Sequence, residues 1–324
     1  MAKDERLVCA VDIGGTKVAL ALMDCGDGST APQAVREAEV PTCAHLGGEA
    51  VYQRIEDAVR AMLDAAPGAV CGVGIGSAGV IDPRTGSVFY ANEIMPGWSG
   101  TALGPRLRAA LGLPVAVLGD VQAHALGEAR WGAGRGRHSL LCLGVGTGIG
   151  GAYVLEGRVL RGFHGAAGHM GHIESIAAAG RPCACGRAGH LESVASGTSM
   201  GALYDERFGR VHAERPSVGR DVSERAAAGD EGARGVLHDA GFALGASMGS
   251  LANILDPEVI VLSGGVVHGL TESGDPTWRD ALFEGFQSQA LDPLQDIPVV
   301  TGELGGRAPL IGAAEFLLDS LAKD

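Results

Sequence analysis

Twice in this chain a short β-rich run breaks into glycines and resumes at once as a second apolar run. Leu7 to Ile13 passes through Gly14-Gly15-Thr16 into Val18 to Met23. Ser139 to Gly144 passes through Gly146-Thr147-Gly148-Ile149-Gly150-Gly151 into Ala152 to Leu155. Neither break leaves room for a helix, so each is predicted as two strands joined by a tight glycine turn. Beyond each turn the pattern alternates. In the first half, Val51, Ile55, Val59, Met62 and Leu63 fall at helical spacing within 49–66. Ala69 to Ile75 is strand-like, Leu103 to Leu111 amphipathic, Val115 to Leu118 a buried strand and Val121 to Trp131 a helix. In the second half a long Ala-rich helix is expected over Ala227 to Leu255, then a strand over Val259 to Leu262 and a helix over Trp278 to Ala290. Val299 and Val300 form a short strand, and Pro309 to Leu321 a closing helix. Strands alternating with helices in both halves predict an α/β protein with a βαβ-like unit in each. The best boundary lies near Leu118.

Glycine is unusually abundant, 53 residues against an ordinary share of about 7%, and it gathers in turns after apolar runs. Two segments match G-x-G-x-x-G, at Gly74/Gly76/Gly79 and Gly146/Gly148/Gly151. A dinucleotide fingerprint needs a helix directly after the glycines, to aim its N-terminus at the pyrophosphate. Here the chain continues as Val80-Ile81-Asp82-Pro83 and Ala152-Tyr153-Val154, which excludes that reading. Gly14-Gly15-Thr16-Lys17 likewise lacks the spacing of a phosphate-binding Walker loop. Glycine hairpins can nevertheless present backbone N–H groups to a phosphate.

Three motifs in order, Val11-Asp-Ile-Gly-Gly-Thr-Lys17, Leu143-Gly-Val-Gly-Thr-Gly-Ile-Gly-Gly151 and Ile260-Val-Leu-Ser-Gly-Gly265, resemble the phosphate 1, phosphate 2 and adenosine motifs of the actin-like ATPase fold. Gly168-His-Met-Gly-His172 and Cys183-Ala-Cys-Gly-Arg-Ala-Gly-His-Leu-Glu192 resemble the signature of the ROK family of sugar kinases and sugar-responsive repressors. The resemblance runs from about residue 7 to about residue 316. It implies a two-domain, actin-like (ribonuclease H-like) α/β fold. A small domain would hold 1–118 with the C-terminal helix at about 309–324. A larger one would hold 119–308, with a zinc-binding loop and the surface of a homodimer. The implied reaction is transfer of phosphate from ATP, as its Mg²⁺ complex, to the 6-hydroxyl of an aldohexose. Glucose is the default acceptor and N-acetylmannosamine the alternative.

Phosphoryl transfer needs metal to neutralise phosphate charge and a group to take the proton of the attacking hydroxyl. By the resemblance, Asp120 is the catalytic base; from position alone it is equally a helix N-cap. Asp12 would hold Mg²⁺, and its plainer reading is an Asp that opens a turn. Gly14, Gly15, Thr16 and Lys17, with Gly146, Thr147, Gly148, Gly264 and Gly265, are the expected nucleotide contacts. Gly119, Asp120, His169, His172 and Glu192 are the expected sugar contacts. Gly119 stands where the family usually has Asn, and His169 where it usually has Glu, a feature shared with some N-acetylmannosamine kinases. Cys183 and Cys185, with His190 and His172, make a Cys₂His₂ set suited to structural Zn²⁺, His190 standing where the family usually has Cys. The alternative is two free thiols with bystander histidines. His124 and Glu128, four apart on the helix after Asp120, are expected to make a local helix-face contact. Trp98 is read as core packing.

A formal charge of −13 with no basic run argues against nucleic acid. A repressor of this family would carry DNA-binding helices ahead of Asp12, and only eleven residues precede it. No apolar stretch reaches 18 residues and the polar start shows no secretory segment, so a cytoplasmic protein off the membrane is expected. Cys9, Cys25, Cys43, Cys71 and Cys142 lie in or near apolar segments and are read as reduced, buried thiols.

Overall fold

The computed structural model describes residues 6–92, 95–212 and 214–322. The polar start at residues 1–5, expected to be free of a secretory segment, lies outside them. The chain divides into two compact units, Met1–Gly136 with Tyr153–Gly168 and Glu303–Asp324, and Arg137–Ala152 with His169–Gly302. The first unit extends beyond the expected boundary at residue 118 and takes in the helix after Asp120. That helix packs on the C-terminal helix of the same unit.

The elements of the first half are β1 (Leu7–Ile13), β2 (Lys17–Asp24), β3 (Gln33–Pro41), α1 (Gly48–Asp64), β4 (Val70–Ser77), β5 (Val80–Ile81), β6 (Val88–Tyr90), α2 (Leu103–Leu111), β7 (Val115–Gly119) and α3 (Asp120–Trp131). Next come β8 (Ser139–Val145), β9 (Ile149–Leu155), β10 (Arg158–Val159), α4 (Glu192–Ala195), α5 (Gly197–Phe208), α6 (Gly219–Ala227) and α7 (Glu231–Leu255). The chain closes with β11 (Val259–Ser263), α8 (Gly265–Ser273), α9 (Thr277–Gln289), β12 (Val299–Thr301) and α10 (Ala308–Leu321). Two five-stranded sheets share one pattern, β3-β2-β1-β4-β7 and β10-β9-β8-β11-β12. In each, a hairpin pairs its first two strands antiparallel and two later strands add in parallel. Both glycine breaks are hairpin turns, as the sequence predicts.

In the first unit the period of two along β1 sorts its side chains. Cys9, Val11 and Ile13 face α1, packing with Val51, Tyr52, Ile55 and Val59. Val8 and Ala10 face α10, packing with Leu310, Ile311, Ala314 and Leu317. Asp12 continues this second set. β4 shows glycine on the same face, at Gly72, Gly74 and Gly76. A Cβ on Gly74 would collide with the Ala313 carbonyl, and one on Gly72 would sit 2.6 Å from the Pro114 carbonyl and 3.1 Å from Leu317. Gly72 and Gly74 thus seat α10 on the sheet, whereas Gly76 faces α3 at Ala123 and Asp120. α3 and α10 approach closely through Gly127 at Ala308 and Gly312 at Ala123. Trp98 is fully buried in the α1-side core, as expected.

In the second unit α7 and α9 pack through Gly241, Gly245 and Gly249, one turn apart, against the backbone at Trp278, Leu282 and Phe286. The helix expected over 227–255 is α7, which starts at Glu231 behind a separate, unexpected helix α6. Gly229 takes φ +93°, and the Asp230 carboxylate accepts the Ala233 N–H at 3.0 Å, which starts α7 afresh. β3, α5 and α8 carry no clear periodic signal and were not expected. β3 is an edge strand whose side chains are mostly exposed, so no apolar alternation marks it. Among the described residues no helix is long and apolar enough to cross a membrane. Cys9, Cys25 and Cys142 are buried as expected, whereas Cys43 and Cys71, at the edges of their apolar segments, are partly exposed; all seven cysteines are free thiols. Burial pushes Cys9 and Cys25 up to about 12, so both stay protonated.

Candidate active site

In the first unit two carboxylates stand at the C-terminal ends of β1 and β7, the parallel strands that flank β4. Asp12 pairs across β1–β4 with Gly76, and Gly76 pairs across β4–β7 with Leu118, two residues before Asp120. Gly76 lies between them: a Cβ there would be 3.6 Å from the Asp120 Cα, 3.7 Å from Asp12 Oδ1 and 3.1 Å from the Ala123 Cβ. Asp12 is pushed up to about 7, first by burial and then by the Asp120 charge, with Lys17 opposing. Charge on this carboxylate is costly until a cation shares it, which is the condition under which a hard divalent metal binds oxygen.

Asp120 is not the N-cap. Gly119 holds that position, at φ −64° and ψ 148°, and Asp120 is the first residue of α3. Its Oδ1 accepts the Val121 N–H at 2.8 Å. A Cβ at Gly119 would be no nearer than 3.4 Å to any atom, the side chain of Gln122. Glycine is therefore not required there by packing. Gln122, unremarked in the sequence, is the residue that organises this corner. It is buried; its Oε1 accepts the Gly119 N–H at 3.3 Å, and its Nε2 donates to the carbonyls of Ala167 at 3.1 Å and Gly165 at 3.4 Å. The one legible signal was a Gln at the third helical position, where a side chain reaches back to the N-cap N–H.

The β1–β2 turn is closed by the Gly14 N–H on the Lys17 carbonyl at 3.0 Å and braced by Thr42 Oγ1 on the Gly14 carbonyl at 2.7 Å. Gly15 is partly exposed and Thr16 exposed. The Lys17 ammonium pairs with Glu39 at 2.7 Å on the exposed face of the β2–β3 pair. His124 and Glu128 do not form the expected helix-face contact. Glu128 is wholly buried, and its carboxylate accepts the N–H groups of Ala133, Glu303 and Leu304 at 2.9–3.1 Å.

In the second unit the β8–β9 turn is tied within itself and to its neighbours. The Gly146 N–H bonds the Gly148 carbonyl at 2.9 Å, and Thr147 is exposed. Two helices begin against the turn. The Gly197 N–H, opening α5, donates to the Gly146 carbonyl at 2.8 Å. Gly264, the N-cap of α8 at φ +101°, lies so close to Val145 that a Cβ would strike its carbonyl. Gly265 begins that helix and is exposed. Two helix N-termini thus lie beside the turn, a setting that favours anions such as phosphate.

The same unit gathers His172, Cys183, Cys185 and His190, whose ligand atoms all lie within 4.8 Å of one another. The Cys183 Sγ is 3.5 Å from His172 Nδ1, and the Cys185 Sγ 3.2 Å from His190 Nδ1. Tetrahedral zinc, with bonds of about 2.0–2.3 Å, has ligand-to-ligand edges of roughly 3.3–3.8 Å, so the donor set fits it. Burial, helped by neighbouring His169, His190 and Arg187, outweighs the opposing Glu192 charge and holds His172 below the usual imidazole value, which favours the neutral form a ligand needs. Burial raises Cys183, whereas at Cys185 the Arg187 N–H and side chain overcome burial and lower the thiol. Turn bonds from the Cys183 N–H to Arg187 and from the Gly186 N–H to Cys183 shape the loop. Glu192, first residue of α4, sits between this cluster and the β8–β9 turn. His169 is exposed, its ring stacked at 6.1 Å on that of His172.

A sequence profile described as the ROK family matches residues 8–320. The chain is 33% identical over 321 residues to a glucokinase of Halalkalibacterium halodurans, covering 95% of this chain and 94% of that one. It is 34% identical over 323 residues to the bifunctional enzyme NanE/NanK of Brucella melitensis, covering 97% of this chain and 54% of that protein. The crystal structure of a ROK family glucokinase from Streptomyces griseus in complex with glucose and AMPPNP superposes with a TM-score of 0.77 at 29% identity. That match covers 95% of this chain and 98% of that one.

Proposed function

The chain belongs to the ROK family, and from that premise we propose that it is a glucokinase-type sugar kinase that moves the γ-phosphoryl group of ATP to the 6-hydroxyl of an aldohexose. The observation that carries this reading is the carboxylate pair Asp12 and Asp120, set at the ends of the two strands that flank Gly76. As O6 attacks the γ-phosphorus, its proton passes to the Asp120 carboxylate; the bond from that phosphorus to the β–γ bridging oxygen breaks and ADP leaves. Asp12 would hold Mg²⁺, which supplies neutralisation of phosphate charge. The turn Gly146, Thr147 and Gly148, with the N-terminus of α8 beside it, binds phosphate oxygens, the amides of Thr147 and Gly148 being the turn's donors. His169, His172 and Glu192 read sugar hydroxyls. Zinc on His172, Cys183, Cys185 and His190 would fix the loop from which those sugar contacts project, a structural role.

A second reading, N-acetylmannosamine as acceptor, is favoured by His169-Met-Gly-His172 and by the likeness to the Brucella NanE/NanK protein. A coupled ADP-release assay with Mg·ATP against glucose, mannose, fructose, N-acetylglucosamine and N-acetylmannosamine decides between the two. Turnover is expected with glucose foremost. Turnover only with N-acetylmannosamine selects the second reading, and no turnover with any sugar contradicts both.

A further inference from the structure

Glu192 makes contacts that reading a sugar does not require. Its Oε2 accepts the N–H of Ile149 at 2.9 Å, the first β9 residue after the glycine turn. The same oxygen fills the space a Cβ would need at Gly148, where φ is otherwise open to any residue. Its other oxygen, Oε1, faces the Cys183 thiol at 3.9 Å, which orients the carboxylate from the side of the Cys/His cluster. The Glu192 backbone is fixed too, its carbonyl accepting the Ser199 hydroxyl at 2.7 Å. The turn is thus held at both ends, Gly146 by α5 and Ile149 by Glu192.

We propose that Glu192 is a positioning residue for the nucleotide. By bonding Ile149 and closing over Gly148 it sets the direction of the turn's N–H groups, whatever it also contributes to the sugar. The inference rests on the reading of this turn as the phosphate site. It accounts for the glycine at 148: the Glu192 carboxylate, not the backbone, occupies the space a side chain would take there.

The test is ADP affinity by calorimetry in the absence of sugar, so that a lost sugar contact cannot account for any change. Amide hydrogen exchange of the segment 143–152 is measured alongside. Glu192→Ala is expected to weaken ADP about tenfold, the scale of one hydrogen bond to a charged acceptor, and to speed exchange at the turn. Glu192→Gln, which keeps an acceptor for Ile149, should stay within about threefold of the wild type. Gly148→Ala should mimic Glu192→Ala in the native background and add little in the Glu192→Ala background. Unchanged affinity and exchange in Glu192→Ala would overturn the proposal. So would a Gly148→Ala effect that is equally large with and without Glu192. If Glu192→Ala does not fold, Glu192→Gln and Gly148→Ala carry the test: slow exchange in Gly148→Ala overturns it. Faster exchange in the variants of a protein that binds no ADP would support the clamp and overturn the phosphate reading of the turn.

Discussion

The two sheets share one strand order, yet their glycine turns hold opposite kinds of polar group. In the first unit the strand ahead of the turn ends in a carboxylate, Asp12, and a second carboxylate, Asp120, stands two strands away. In the second unit the strand positions matching the Asp12–Gly76 pair are Gly144 and Ser263, and the turn offers amides and helix N-termini. The difference teaches that a repeated backbone frame divides the work. One copy carries negative charge suited to a metal and a proton, and the other carries donors suited to phosphate. Glycine serves both copies for different reasons. On β4 it admits a helix, and in the β8–β9 turn it admits the Glu192 carboxylate.

That contrast can be broken most sharply at Gly74. Gly74→Ala places a methyl on the Ala313 carbonyl and must displace α10, so the Tm should fall by roughly 5–10 °C. Gly148→Ala should leave the Tm nearly unchanged while weakening ADP. Equal thermal losses from the two substitutions would erase the distinction. Next in size is the Cys/His cluster. Metal analysis should find roughly one zinc per chain, and stripping it with a chelator should lower the Tm by about 5 °C or more. A metal-free protein with an unaltered melting curve would leave the cluster as thiols and bystander histidines.

The smallest effect sharpens the comparison at Asp12. Its folded-state value of about 7 lies above the ordinary 3.8, so the fold favours the protonated form. The contribution of that form is complete below pH 3.8 and is lost as pH rises through 7. Asp12→Asn cannot ionise and should remove this slope. The variant should match the wild type near pH 4 and exceed its Tm at pH 8 by about 2 °C, a gap that Mg²⁺ should narrow. Parallel pH curves for the two proteins would show that Asp12 is not strained by its charge.

Much of the frame was legible because it rests on local pattern. Two hairpins, most helices and the α/β class follow from periods of two and 3.6 and from glycine breaks. The ordered motifs marked Asp12, Asp120 and the Cys/His set. The hidden part depends on long-range packing. Gly74 of β4 reads as part of a weak nucleotide fingerprint, when its use is to seat α10, a helix more than 200 residues away in sequence. Glu128 looked like the partner of His124 one turn earlier, because nothing local shows that it receives the N–H groups of Glu303 and Leu304. Gln122 and Glu192 belong with it: each is a polar side chain whose work is to hold backbone from another part of the chain.

The central claim is that Asp120 takes the proton of the sugar hydroxyl. It is tested most directly by steady-state kinetics of Asp120→Asn with Mg·ATP and the preferred sugar, with sugar affinity measured separately. The predicted result is a kcat at least about 10²-fold lower, with sugar affinity within about threefold of the wild type. A kcat close to that of the wild type would contradict it.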